Sequence, residues 1–118
     1  TEPKSGGEEG SIDIEYFKTT IADNPEAFYL IDVRDPDEFS TGTIKGAQNI
    51  PVDVLEAKIA SLPTDKPTVF ICGTGARSGE SFYMVQDVRP EMKNVYYVDA
   101  EMTVHEDGTF TLKKPAGS

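Results

Sequence analysis

A single cysteine, Cys72, and an arginine five positions beyond it are the residues whose types and spacing could do chemistry. They bracket the loop Cys72-Gly73-Thr74-Gly75-Ala76-Arg77. The apolar run Thr68-Val69-Phe70-Ile71 leads into the loop, and a helix-like segment, Glu80 to Val88, leads out. Strand, glycine-bearing loop and helix in that order aim backbone N–H groups and the positive end of a helix dipole at one point. A cysteine at that point is favoured as the thiolate, its nucleophilic form. Arg77 adds a permanent positive charge beside it. An isolated cysteine at a strand end would instead read as a small buried hydrophobe. The glycines, the arginine and the following helix turn the reading toward a reactive thiol that handles an anionic sulfur species.

The elements that must position this loop follow from the apolar pattern. Thr68 to Ile71 is the central strand, and the helix after the loop carries Phe82, Val85 and Val88 inward before Arg89-Pro90 ends it. Earlier in the chain, Asp13 is placed as a helix N-cap with Ile12 as a staple residue. Ile14, Phe17 and Ile21 form a helical stripe that Asn24-Pro25 stops. Phe28 to Ile31 reads as a buried strand ending at Asp32. Arg34 to Gly42 is a turn or short helix anchored by Phe39, and Ala47 to Ile50 is another short strand. Pro51 opens a helix with Val52, Leu55, Ile59 and Leu62 on its apolar face, and Asp53, Glu56 and Lys58 facing water. Pro63 to Pro67 is a loop, and Val95 to Val98 is a further strand. Met102 to Val104 and Thr109 to Leu112 flank Glu106-Asp107-Gly108, a strong hairpin signal. Alternating strands and helices predict an α/β layer structure with a mostly parallel sheet. Function then sits beyond the carboxyl ends of the strands, where both Asp32 and Cys72 fall.

Length and composition bound the alternatives. The 118 residues suffice for one domain. Residues 1–11 are expected to be a flexible linker or arm, 12–112 the domain, and 113–118 a frayed tail. Hydrophobic residues make up 37%, enough for a modest core. The net charge of -10 argues against nucleic acid and anionic membranes as partners, because such a surface repels phosphates. One cysteine excludes an intramolecular disulfide and a cysteine-rich zinc site, and His105 reads as a solvated hairpin residue. No apolar run has the length of a signal h-region or a membrane span. The chain begins at Thr1 without a methionine, so a neighbouring domain in a longer protein is expected.

Two motifs carry a family resemblance. Leu30-Ile31-Asp32-Val33-Arg34-Asp35-Pro36-Asp37-Glu38-Phe39, followed by Gly42-Thr43-Ile44-Lys45-Gly46-Ala47-Gln48-Asn49-Ile50-Pro51, resembles the N-terminal signature of rhodanese-like domains. The loop from Cys72 to Arg77 is similar to the active-site loop of that family: a cysteine, four residues, then arginine. The resemblance covers roughly Ile12 to Asp99 and implies a three-layer domain with a central, mostly parallel five-stranded sheet flanked by helices. It implies sulfurtransferase chemistry: the Cys72 thiolate takes the outer sulfur of thiosulfate, a persulfide or a polysulfide as a Cys72 persulfide, and an external thiol or cyanide removes it. No metal or organic cofactor is implied. Cys72 and Arg77 are the implied catalytic pair. Gly73, Thr74, Gly75, Ala76 and Ser78 line the substrate sulfur, and a persulfide's terminal charge needs just such N–H donors. Asp32, Arg34 and Glu38 are expected to support the loop from beneath, Asp32 accepting hydrogen bonds and Arg34 pairing with a carboxylate, for which Glu38 is the candidate.

Three other readings compete. Cysteine-dependent phosphatases and arsenate reductases also use a cysteine-to-arginine anion loop, but with five intervening residues rather than four. The shorter loop is a smaller cradle, suited to one sulfur. Gly73-x-Gly75-x-x-x-Gly79 resembles a dinucleotide fingerprint, yet its third glycine comes one position late. A catalytically idle interaction or regulatory module is the third alternative. After Tyr97 the chain departs from the family pattern: Val98 to Met102 lacks the glycine pair that usually leads into a last helix, and the predicted hairpin replaces that helix. Thr43 stands where the family often has histidine.

Overall fold

The computed structural model describes residues 3–105, 107 and 109–113. Helix α1 (Ile14–Asp23) leads to strand β1 (Tyr29–Asp32), short helix α2 (Pro36–Thr41) and strand β2 (Gln48–Asn49). Next come α3 (Val52–Leu55), which runs on as a 3-10 helix over Glu56–Ser61, then β3 (Thr68–Ile71), α4 (Ala76–Val88), β4 (Val95–Tyr97) and the pair β5 (Glu101–Val104) and β6 (Phe110–Lys113). β1 to β4 form one parallel sheet in the order β2-β1-β3-β4, and β5 and β6 form a separate antiparallel pair. The predicted turn residues Glu106 and Gly108 lie outside the described residues, as do 1–2 and 114–118.

Side chains alternate across the sheet with the period of two that a strand imposes. Phe70 and Cys72 face α3, the 3-10 helix and α4, in a cluster with Val33, Leu55, Ile59, Phe82 and Val85. Val69 and Ile71 face the other way, against α1 and the hairpin, with Phe17, Ile21, Leu30, Val98 and Met102. Every residue of β3 is buried, which is why it reads as an unbroken apolar run. Asp13 caps α1 as expected, its carboxylate accepting the Tyr16 amide at 2.9 Å, and Asn24 ends the helix.

Four details depart from expectation. Among the described residues the sheet has four strands rather than five. At the free edge of β4 a single parallel bridge, Ser11 to Tyr97, stands where another strand would run. The chain turns back there instead of extending: the Gly6 amide donates to Ser11 O at 3.0 Å, and Ser5 bridges Ile12 in antiparallel fashion. The segment read as an arm is tied to the sheet at its end, where the Tyr97 amide donates to Gly10 O at 3.0 Å. The helix after Cys72 begins at Ala76, so Arg77 and Ser78 belong to its first turn. Val88, expected inward, is exposed. At 100° per residue the stripe Ser78-Ser81-Phe82-Val85 centres next on Arg89, which donates to Leu62 O at 2.9 Å.

Candidate active site

Parallel pairing brings the two candidate loops together. Asp32 lies opposite Ile71, so the residues after each strand leave the sheet side by side, and the Val33 amide donates to Ile71 O at 2.9 Å. Cys72 follows at once on the helix-covered face and is only 1% exposed. Its sulfur accepts the Gly75 amide at 3.0 Å and the Ser78 amide at 3.3 Å, with the Ser78 hydroxyl 3.5 Å away. Two N–H dipoles at the start of a 13-residue helix converge on one atom, an arrangement that favours negative charge on that sulfur. The Ser78 oxygen also lies 3.0 Å from both Gly75 O and Val98 O, which ties the loop to the chain beyond β4.

The turn depends on Gly75. Its φ of +92° is left-handed, and a Cβ there would meet Ala100 N at 2.9 Å and Asp99 Oδ1 at 3.2 Å. The loop therefore packs directly on the start of the hairpin. The Met102 amide donates to Gly73 O at 2.9 Å. The segment that departs from the family pattern is thus the wall against which the loop is held.

The cradle is smaller than expected. Gly75 and Ser78 supply donors to the sulfur. The Ala76 amide turns instead to Thr74 Oγ1 at 3.3 Å, because a hydroxyl two residues back competes for it. Thr74 is exposed and Gly73 half-buried.

The support residues pair differently from expectation. Arg34 does not reach Glu38. Its Nε and Nη2 bind the Asp32 carboxylate at 2.9 and 2.6 Å, and Nη2 also donates to Gly42 O at 2.7 Å. Asp32 is completely buried at the strand end, so its charge requires a cation on the spot, and Arg34 is two residues away. Asp32 does accept hydrogen bonds, as expected, from the Arg34 amide at 3.1 Å and the Thr43 hydroxyl at 2.8 Å. Glu38, in α2, binds Arg77 through both oxygens at 2.8 and 3.1 Å and accepts the Asp35 amide at 3.2 Å. The Arg77 guanidinium holds the Glu38 carboxyl down at about 2, and Glu38 in turn raises Arg77.

Sequence reasoning missed several contributors. Thr43 is a donor to the buried carboxylate, and Asn49 pins the carbonyls of Asp32 and Arg34 at 3.0 and 2.9 Å. Both lie inside the quoted N-terminal motif as polar residues among apolar ones, a signal that could have marked them. Asp99 and Met102 had no such signal. Concavities of about 410, 490 and 460 Å³ lie elsewhere, the first between the N-terminal turn and Asp99 and Leu112. The buried sulfur suits a ligand of atomic size rather than one that fills a cleft. Among the described residues no cluster of three or more His, Cys, Asp or Glu could hold a metal ion, and no helix is long and apolar enough to cross a membrane.

Known proteins resemble this chain in sequence and fold. The family model for the rhodanese-like domain matches residues 13–103. The uncharacterized protein YqhL of Bacillus subtilis is 46% identical over 52 residues, which are 44% of this chain and 41% of that protein, so the chain matches less than half of that relative's length. A sulfurtransferase of Allochromatium vinosum is 32% identical over 76 residues, 64% of this chain and 70% of that protein. The structure of a human single-domain sulfurtransferase has the same fold, with a TM-score of 0.65 at 22% identity, covering 76% of this chain and 88% of that one. With most of its length under one family model, and with the parallel sheet, the Cys72 loop and the Asp32 to Pro51 signature in place, the chain belongs to the rhodanese-like domain family.

Proposed function

We propose that this protein is a sulfurtransferase that moves a sulfane sulfur from thiosulfate, a persulfide or a polysulfide to a thiol or cyanide through a persulfide on Cys72. The observation that carries the reading is the convergence of the Gly75 and Ser78 amides on Sγ at 3.0 and 3.3 Å. Such donors stabilise a thiolate before attack and a sulfur anion afterward. In the loading step the Cys72 thiolate attacks the donor's outer sulfur. A new S–S bond forms, and the donor's bond to that sulfur breaks with its electron pair on the leaving group, sulfite in the case of thiosulfate. The acceptor then attacks the outer sulfur and Cys72 leaves as the thiolate. No net oxidation occurs within either step. Cys72 is the only cysteine, so discharge goes to an external acceptor rather than to a resolving thiol. Because Sγ is buried, small donors are expected to react faster than bulky alkylating reagents.

Intact mass after incubation with thiosulfate, and separately with an inorganic polysulfide, tests the reading. The expected result is a gain of one sulfur atom that cyanide removes and that Cys72→Ala abolishes. No gain from either donor would overturn it in favour of an idle interaction module. Cys72-dependent hydrolysis of an aryl phosphate would point to phosphatase chemistry instead.

A further inference from the structure

Both guanidiniums beside the candidate site are committed to carboxylates. Arg34 is bound to buried Asp32, and Arg77 is gripped by both oxygens of Glu38. Glu38 is itself held by the Asp35 amide in the first turn of α2, so the pair is anchored at both ends. Asp35 adds a further negative charge on the same side. The carboxylates of Asp32, Asp35 and Glu38 therefore outnumber the two guanidiniums they act on, on a chain whose net charge is -10. The amides that reach the sulfur are those of Gly75 and Ser78. These can hold one sulfur anion. A second negative charge on the donor would meet the Glu38 carboxylate that already occupies Arg77, rather than a free guanidinium.

We infer that Glu38 is a specificity-determining residue: by engaging Arg77, it makes the site select sulfane-sulfur donors with at most one negative charge, such as a persulfide borne on a thiol, over dianionic thiosulfate. The inference rests on the Cys72 sulfurtransferase reading. In the favoured step the Cys72 thiolate attacks the outer sulfur of the persulfide. The donor's S–S bond breaks with its electron pair on the departing thiolate, which takes up the proton that the transferred sulfur loses.

The test compares two small donors of nearly the same shape: thiosulfate, a dianion that leaves as sulfite, and methanethiosulfonate, a monoanion that leaves as methanesulfinate. Loading rates are read by intact mass, and intrinsic reactivity cancels when the ratio of the two rates is compared between variants. Glu38→Gln releases Arg77 from its counter-charge while keeping an oxygen for the Asp35 amide. It is expected to raise the thiosulfate-to-methanethiosulfonate ratio at least about fivefold, the factor that one elementary charge contributes about 4 Å away even at the dielectric of bulk water. Glu38→Asp keeps the charge and is expected to keep the ratio close to that of the unaltered protein. In the unaltered protein added salt should speed thiosulfate loading more than methanethiosulfonate loading, because it screens repulsion. This arm can refute the assignment even if the variants fold poorly. A ratio unchanged in Glu38→Gln, or thiosulfate loading that slows as salt rises, would overturn the assignment and show that Arg77 attracts anions from within the pair. If neither donor adds sulfur to the unaltered protein, the sulfurtransferase reading itself fails; if both add it with an unchanged ratio, only the role of Glu38 does.

Discussion

Gly75→Ala is the substitution that tests the site geometry most directly, because one atom challenges both the turn and the sulfur contact. Gly75 has φ +92°, and an L-residue in the left-handed region costs about 1–2 kcal/mol. The new methyl would lie 2.9 Å from Ala100 N, a backbone atom that cannot rotate away. The start of the hairpin must therefore shift, at a cost typical of overpacking, about 1–3 kcal/mol. Together these predict a loss of about 2–5 kcal/mol in urea unfolding, within the range of severe single substitutions. The same shift moves the Gly75 amide off Sγ, where it now sits at 3.0 Å. A hydrogen bond to a charged acceptor contributes about 1.5–3 kcal/mol. Sulfur loading by the variant that remains folded should therefore slow about 10- to 100-fold. Gly79→Ala serves as the control. That position is helical, and its added methyl would meet the Tyr97 ring at 3.3 Å, a side chain able to yield. The helix gains about 0.5–1 kcal/mol from losing a glycine, so the net change should be small and loading should persist. A Gly75→Ala protein of unchanged stability would refute the strained turn. One that is destabilised but loads at full rate when folded would refute the role of the amide.

Two further outcomes follow from the ion pairs. The folded Glu38 carboxyl titrates at about 2, below the ordinary ~4.3 of an unfolded chain. The pair's stabilisation is therefore complete above about pH 4.3 and lost as pH falls toward about 2. The Glu38 side chain is 38% exposed, and solvent screening leaves the pair worth about 1 kcal/mol. Arg77→Ala should lie below the unaltered protein by that amount in urea unfolding at pH 7, with the gap closing as pH falls toward 2; parallel curves would show that the pair does not act electrostatically. Thr43→Val removes the hydroxyl that donates to the buried Asp32 carboxylate at 2.8 Å and should cost about 1–2 kcal/mol in the same assay, with Thr43→Ser recovering most of it. A valine variant of unchanged stability would mean that Arg34 and its amide satisfy Asp32 alone.

Much of the fold was legible in local pattern. The run Thr68 to Ile71 could only be a fully buried strand, and Asp13, Asn24 and Pro51 mark helix ends by chemistry that acts within a few residues. Asp-Gly between two alternating stretches announced the antiparallel pair. The mispaired support residues have one origin. Glu38 and Asp32 are both carboxylates within four residues of Arg34, and spacing does not say which lies on its side of the strand end. The pleat puts Asp32 there, and the helix α2 carries Glu38 across to Arg77. Val88 was misread for a related reason: its helical phase falls at the edge of the buried stripe, and only the packing of Arg89 against Leu62 O shows where that stripe is centred.

By itself the sequence determined that a lone cysteine follows a buried strand and precedes a helix, with glycines and an arginine between. That order is enough to create an anion cradle, because backbone amides at a helix start point the same way whatever surrounds them. The tertiary structure decided what the cradle faces. It closed the loop against the hairpin at Ala100 and Met102, and spent each guanidinium on a carboxylate distant or near in sequence. It also left two amides on the sulfur where five had been expected to line it. Local propensity acts over a few residues, whereas the field at Cys72 is the sum of charges from β1, α2, α4 and the chain beyond β4, which only folding brings within reach of one another.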